Sequence, residues 1–345
     1  MGETAAGSRT AALVLGGAAV KGAFEAGALS VIAARGITVR RIVAASSGTL
    51  NATAFASGVR GRREEEAARN LVQLWEEDAN LCDAIHPNLC AILKGKGISD
   101  QRKLLAMLRR HVRPCTRPDP APIELQVVLA ALHGRPGAID GEPATTFSEI
   151  ATFADADFDD AARLERLFLV ATASAALPVL FTPVDVPGVG PCTDGGLVNN
   201  TPIVHALGDD PDEELGAILV VTATPSHFAA PPREYRGLQL LAHELDMVFA
   251  EWMYRDLRRA VQLREGLARL DALAARKRWS PGELDEIKAA LGLDHARTVP
   301  IVSIRPVDAL PGTMLSGFTD PAARRAYVEV GRTRAEQVLD GFGWR

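Results

Sequence analysis

A short apolar run, residues 42–45, gives way across Ser46-Ser47-Gly48 to a helical pattern over residues 50–56. The run has the length of a buried strand, so Ser46 stands at a strand-to-helix junction. Few features constrain a fold more. The turn must be sharp, its central residue is forced into a strained conformation, and only small neighbours fit. Ala44 and Gly48, two places to either side, are both small. The helix that follows aims unpaired N–H groups and its positive dipole end at the central side chain. The pattern is G-x-S-x-G with alanine in the first place. It is compatible with a nucleophile beside an oxyanion site and equally with a serine that caps a helix.

Upstream, residues 11–15 form another short apolar strand, followed by Gly16-Gly17-Ala18-Ala19-Val20-Lys21-Gly22 and a helix over residues 23–35. The first fifty-odd residues thus read strand, glycine loop, helix, strand, elbow, helix. Parallel strands joined by right-handed helical crossovers follow from that order, and with them an α/β class. A phosphate-binding loop is excluded in both common forms: Lys21 precedes Gly22 instead of following it, and there is no G-x-G-x-x-G. The loop does offer backbone N–H groups at Gly17 and Ala18, expected to be free and suited to holding an oxyanion. A plain βα turn is the alternative.

At 345 residues the chain can bury one large α/β core or two smaller ones. A net charge of −5 leaves no basic footprint for nucleic acid. Four cysteines without C-x-x-C spacing point to neither a zinc site nor a disulfide framework, and fit a reducing compartment. The first ten residues lack the charged and apolar regions of a secretory signal, and Ala6 stands where a myristoylation site wants Ser or Thr. Residues 167–184 are free of charge apart from their neighbours, but Pro178 and Pro183 argue for a buried strand and turn instead of a membrane span. The expectation is a soluble, cytoplasmic protein.

Further along, residues 61–78 read as a charged helix with Leu71, Leu74 and Trp75 on one face. Residues 80–114 are an irregular, glycine-bearing insert, either a lid or membrane-touching segment or an ordinary capping subdomain. Strands are expected at 124–132, with a turn at 133–137, and at 167–171. A hairpin is expected over 182–193 and further strands at 217–222 and 299–304. Long helices are expected over 238–270 and 321–339, with a capping box at Ser280-Pro281-Gly282-Glu283 opening another. The hairpin delivers Asp194 into Gly195-Gly196, where its carboxylate is free to face outward. Beside a serine hydroxyl such a carboxylate can act as base, although Asp-Gly is also a common turn. None of the seven histidines lies in a distinctive triad context.

Together these stretches resemble a known family. The segment from Leu13 to Gly27 is similar to the oxyanion motif of patatin-like phospholipases. Ala44-Ala45-Ser46-Ser47-Gly48-Thr49-Leu50-Asn51-Ala52 is similar to their serine elbow, Asp194-Gly195-Gly196 to their aspartate motif, and residues 173–184 to the stretch before it. The resemblance implies one patatin-like α/β domain. It would have a central, mostly parallel sheet between helices, a catalytic core over 10–225 with a helical insert near 60–120, and C-terminal helices with a final strand over 226–345. It implies a lipid acyl hydrolase for phospholipids or related esters, with Ser46 as nucleophile, Asp194 as base, and Gly17, Ala18 and Ala19 as oxyanion donors. No cofactor, metal or calcium is called for, and peripheral membrane contact is implied by the substrate. Ala18, Ala19 and Ala44 fill places where the family usually has glycine. Alanine keeps its N–H but resists positive φ, so a reshaped loop is expected, and with it the alternative of a weak or inactive lipid-binding protein.

Overall fold

The computed structural model describes residues 9–79, 97–139, 141–207, 214–228, 238–293, 298–313 and 315–345. Its core is an eight-stranded sheet: β1 (Thr10–Leu15), β2 (Thr38–Ala44), β3 (Glu124–Ile139), β4 (Glu142–Ala154), β5 (Val184–Val186), β6 (Gly190–Thr193), β7 (Ala217–Val221) and β8 (Ile301–Ile304). The path runs β5-β6-β3-β2-β1-β7-β8, with β4 paired to β3 outside it. Strands β3, β2, β1, β7 and β8 are mutually parallel, β4 and β6 each run antiparallel to β3, and β5 runs antiparallel to β6. β1 lies at the middle of the five parallel strands and is buried along its whole length, as a strand covered on both faces must be.

Side chains alternate across β1. Ala11, Leu13 and Leu15 join one large apolar cluster, with α1 (Ala23–Ala34), α2 (Gly48–Arg60), α3 (Glu64–Gln73), α4 (Arg102–His111), α5 (Ala161–Ser174) and α9 (Pro321–Phe342). Ala12 and Val14 join a smaller cluster on the other face, with Ile203, Ala206, Ile218 and Val220. The short helix α6 (Gly196–Asn199) follows Asp194, while the long α7 (Leu238–Lys277) gives Leu245 and Phe249 to the large cluster and packs Leu257 and Ala260 on the small one. The helix α8 (Pro281–Ala290) opens with the expected capping box at Ser280 and Glu283.

Two expectations are corrected. Residues 167–171 are not a strand but the middle of α5, whose first turn is capped by the Asp160 carboxylate accepting from Arg163 N–H at 2.9 Å. Leu164, Leu167, Phe168 and Ala171 are buried on one helical stripe, and a five-residue apolar run cannot by itself separate that from a strand. The turn expected at 133–137 is also absent. β3 runs on through it to Ile139, absorbs an irregularity between Ala130 and Arg135, and pairs with β4, which the sequence reading missed. The helix expected over 61–78 is α3 continued by a π-helical turn, Leu74–Asp78. Much of the insert, residues 80–96 with Cys82 and Cys90, lies outside the described residues, as do the first eight residues with Ala6. Among the described residues no helix is long and apolar enough to cross a membrane.

Candidate active site

The loops that follow β1 and β2 lie side by side, because Leu15 pairs with Ala44 at the carboxyl ends of both strands. In parallel sheets this is the edge where ligands meet the fold. Ser46 occupies the second loop with φ of +52°, a left-handed conformation that a non-glycine residue adopts at a cost of about 1–3 kcal/mol. Short bonds hold it there. Ala45 N–H donates to the Leu15 carbonyl at 3.1 Å, Gly48 N–H to Ala45 at 3.0 Å and Thr49 N–H to Ser46 at 3.0 Å. Gly48 lies so close to β1 that a Cβ there would come within 2.6 Å of the Leu15 oxygen. Ala44, by contrast, keeps its methyl within the large apolar cluster.

The Ser46 hydroxyl donates to Asp194 Oδ2 at 2.7 Å. The other carboxylate oxygen accepts from Gly196 N–H at 2.8 Å. Asp194 is fully buried, and burial raises its pKa from the ordinary 3.8 to about 7 despite both hydrogen bonds, which favour the charged form. One residue unforeseen in the sequence ties the two sides together. Ser174, at the end of α5, accepts from Ser46 N–H at 3.0 Å through its hydroxyl and from Gly195 N–H at 3.0 Å through its carbonyl.

The glycine loop departs from expectation. The N–H groups of Gly17 and Ala18 are not free: Gly17 donates to Asn200 Oδ1 at 2.8 Å, and Ala18 to the Ser47 hydroxyl at 3.1 Å. Asn200 answers by donating to the Gly17 carbonyl at 3.0 Å, so one buried carboxamide grips both polar groups of one loop residue. At the loop's far end Asn51 donates to the Gly22 carbonyl at 3.0 Å and to Glu25 at 2.8 Å, while its own carbonyl accepts from Trp75 at 2.6 Å. Burial holds the Glu25 carboxyl well above the usual carboxylate range. Ala19 takes the positive φ, +47°, that glycine would have taken without cost, and its N–H makes no hydrogen bond among the described residues. Gly17 faces the serine so closely that a Cβ on it would fall 2.1 Å from the Ser46 Cβ. Ser46, Asp194, Ala19 and Val20 border a cavity of about 50 Å³ with mostly apolar walls, among them Leu50, Trp75, Met107 and Phe181, and with no histidine among the described residues that line it.

The patatin-like phospholipase family profile matches residues 13–207, more than half of the chain and a span that holds Gly17, Ser46, Ser174, Asp194 and Asn200. The chain belongs to the patatin-like phospholipase family. At that general level it is a lipid acyl hydrolase. No curated protein matches its sequence significantly. Among solved structures this patatin-like chain is similar to VipD from Legionella pneumophila, with 15% identity and a TM-score of 0.42 over 98% of this chain and 68% of that one. It is also similar to the type III effector protein ExoU, with 13% identity and a TM-score of 0.32 over 97% of this chain and 54% of the other.

Proposed function

We propose that this patatin-like chain hydrolyses carboxylic esters of phospholipids or related lipids through a Ser46–Asp194 dyad and an acyl-enzyme, without calcium. The observation that carries the reading is the 2.7 Å hydrogen bond from a left-handed serine to a fully buried carboxylate poised near neutrality. A base works best with a pKa near the working pH, and desolvation supplies that here. Ser46 Oγ attacks the ester carbonyl carbon while its proton passes to Asp194 Oδ2. The carbonyl π-bond opens to an oxyanion held by Ala19 N–H and by Ala18 N–H, which leaves the Ser47 hydroxyl as the oxyanion arrives. The C–O bond then breaks and Asp194 returns the proton to the departing alcohol. Asp194 next takes a proton from water, whose oxygen attacks the acyl carbon; the tetrahedral adduct expels Ser46, which recovers the proton, and the acid leaves. Gly17, whose N–H stays with Asn200, positions the loop. The apolar cavity walls suit an acyl chain.

A second reading, a weak or inactive lipid-binding protein, is favoured by the internal partners of the Gly17 and Ala18 N–H groups. Labelling with a serine-directed fluorophosphonate separates the two: the enzyme reading requires Ser46 to be labelled and Ser46→Ala to be silent. Hydrolysis of a short-chain nitrophenyl ester in EDTA should fall by about 10⁴-fold or more in Ser46→Ala and Asp194→Ala, as it does when a nucleophile or its base is removed. The rate should rise with pH through about 7 as Asp194 ionises. Stability should move the other way. The folded pKa lies above the unfolded one, so the folded state holds its proton more tightly; that contribution is complete at acid pH and lost as pH rises through about 7. Asp194→Asn should remove this slope while abolishing turnover.

A further inference from the structure

On the face of the sheet opposite Ser46, the smaller apolar cluster leaves a cavity of about 230 Å³ between α7 and the strands β7 and β8. Ile203, Ile218, Leu263 and Ile301 form its apolar walls. Its polar groups are few. Asp256 and Arg259, on the same helix, balance each other electrostatically, and burial raises the Asp256 carboxyl to about 6. Arg264, one turn further along α7, lines the cavity with no hydrogen bond or ion pair among the described residues. Asn199 lines it too, and its Oδ1 is buried without a partner. Turned end for end, that carboxamide presents N–H donors instead. An unpaired guanidinium and an unpaired carboxamide, on a cavity whose other two charges offset each other and whose remaining walls are largely apolar, match a ligand with one anionic end and a hydrocarbon body. At about 30 Å³ for each water-sized group, the space takes a chain of about eight carbons.

We propose that this second cavity binds a medium-chain fatty acid, its chain against Ile218 and Ile301 and its carboxylate held by Arg264 and Asn199. The site is distinct from the Ser46 cavity and does not depend on the hydrolase reading. It is joined to the candidate active site by sequence: Asn199 faces the cavity, and Asn200, the next residue, grips Gly17.

The test is calorimetric titration of octanoate into the full chain carrying Ser46→Ala, so that binding is read without turnover. One saturable site is expected. Arg264→Glu should weaken it by about tenfold or more, the contribution of a charge-assisted hydrogen bond. Ala260→Trp, at a residue that lines the cavity, should abolish it, and Leu104→Trp, at a residue that lines the Ser46 cavity instead, should leave it intact. 1-Octanol should bind more weakly than octanoate and ignore Arg264→Glu. Absence of saturable binding overturns the proposal, as does binding indifferent to Arg264→Glu or lost in Leu104→Trp. If Ala260→Trp fails to melt cooperatively, Arg264→Glu decides alone.

Discussion

The elbow after β2 and the glycine loop after β1 leave the sheet side by side, and each places one non-glycine residue in the left-handed region, Ser46 at +52° and Ala19 at +47°. They are held by different means. The elbow is fixed mainly by main-chain bonds, Ala45 to Leu15, Ala45 to Gly48 and Ser46 to Thr49, and by the tight approach of Gly48 to Leu15, with the Ser174 hydroxyl on the Ser46 N–H. The loop is gripped from elsewhere in the chain: Asn200 at Gly17, Ser47 at Ala18 and Asn51 at Gly22. Main-chain bonds of this kind survive most changes of side chain. A loop held by side chains can be loosened by a single substitution, so Ser46 is expected to be the fixed half of the site and the Gly17–Ala19 loop the adjustable half.

The sharpest way to break that distinction is Gly48→Ala. The added methyl meets backbone, which cannot step aside, so we expect a loss of about 2–3 kcal/mol in urea unfolding, at the upper end for overpacking. An unchanged midpoint would show that the elbow is not rigid. Asn200→Ala comes next. It leaves the buried N–H and carbonyl of Gly17 without partners, at about 1–3 kcal/mol. Its signature is a fall in kcat out of proportion to any change in KM, while fluorophosphonate still reaches Ser46; equal loss of both would mean that Asn200 merely supports the fold. The smallest effect is expected of Ala19→Gly. Relief of the left-handed alanine, set against the greater freedom of glycine in the unfolded chain, should raise stability by about 0.5–1 kcal/mol. A loss instead would mean that the loop tolerates its alanine without strain.

Much of this was legible in sequence because it rests on local pattern. The apolar runs of β1 and β2, the small residues around Ser46 and the hairpin leading to Asp194 are each encoded within a few residues. What failed to show did so for physical reasons. The run 167–171 has the same apolar content in a buried helix as in a buried strand. β4 is largely exposed, rich in Thr and Glu, and shows no clean alternation to announce it. The occupied N–H groups of the glycine loop depend on Asn200, 183 positions away, and no spacing rule reaches that far. The Asn199-Asn200 pair just beyond Asp194-Gly195-Gly196 was the available signal: two short amides at a turn are costly to bury unless the fold employs them.

Ser174 sets a tolerance. Its hydroxyl receives the Ser46 N–H and its carbonyl the Gly195 N–H, so Ser46 and the turn that carries Asp194 are both referenced to one residue at the end of α5. A shift of α5 would reach Ser46 and the Asp194 turn through the same residue, and Ser174→Ala would free the Ser46 N–H alone, since the Gly195 bond runs to the Ser174 carbonyl.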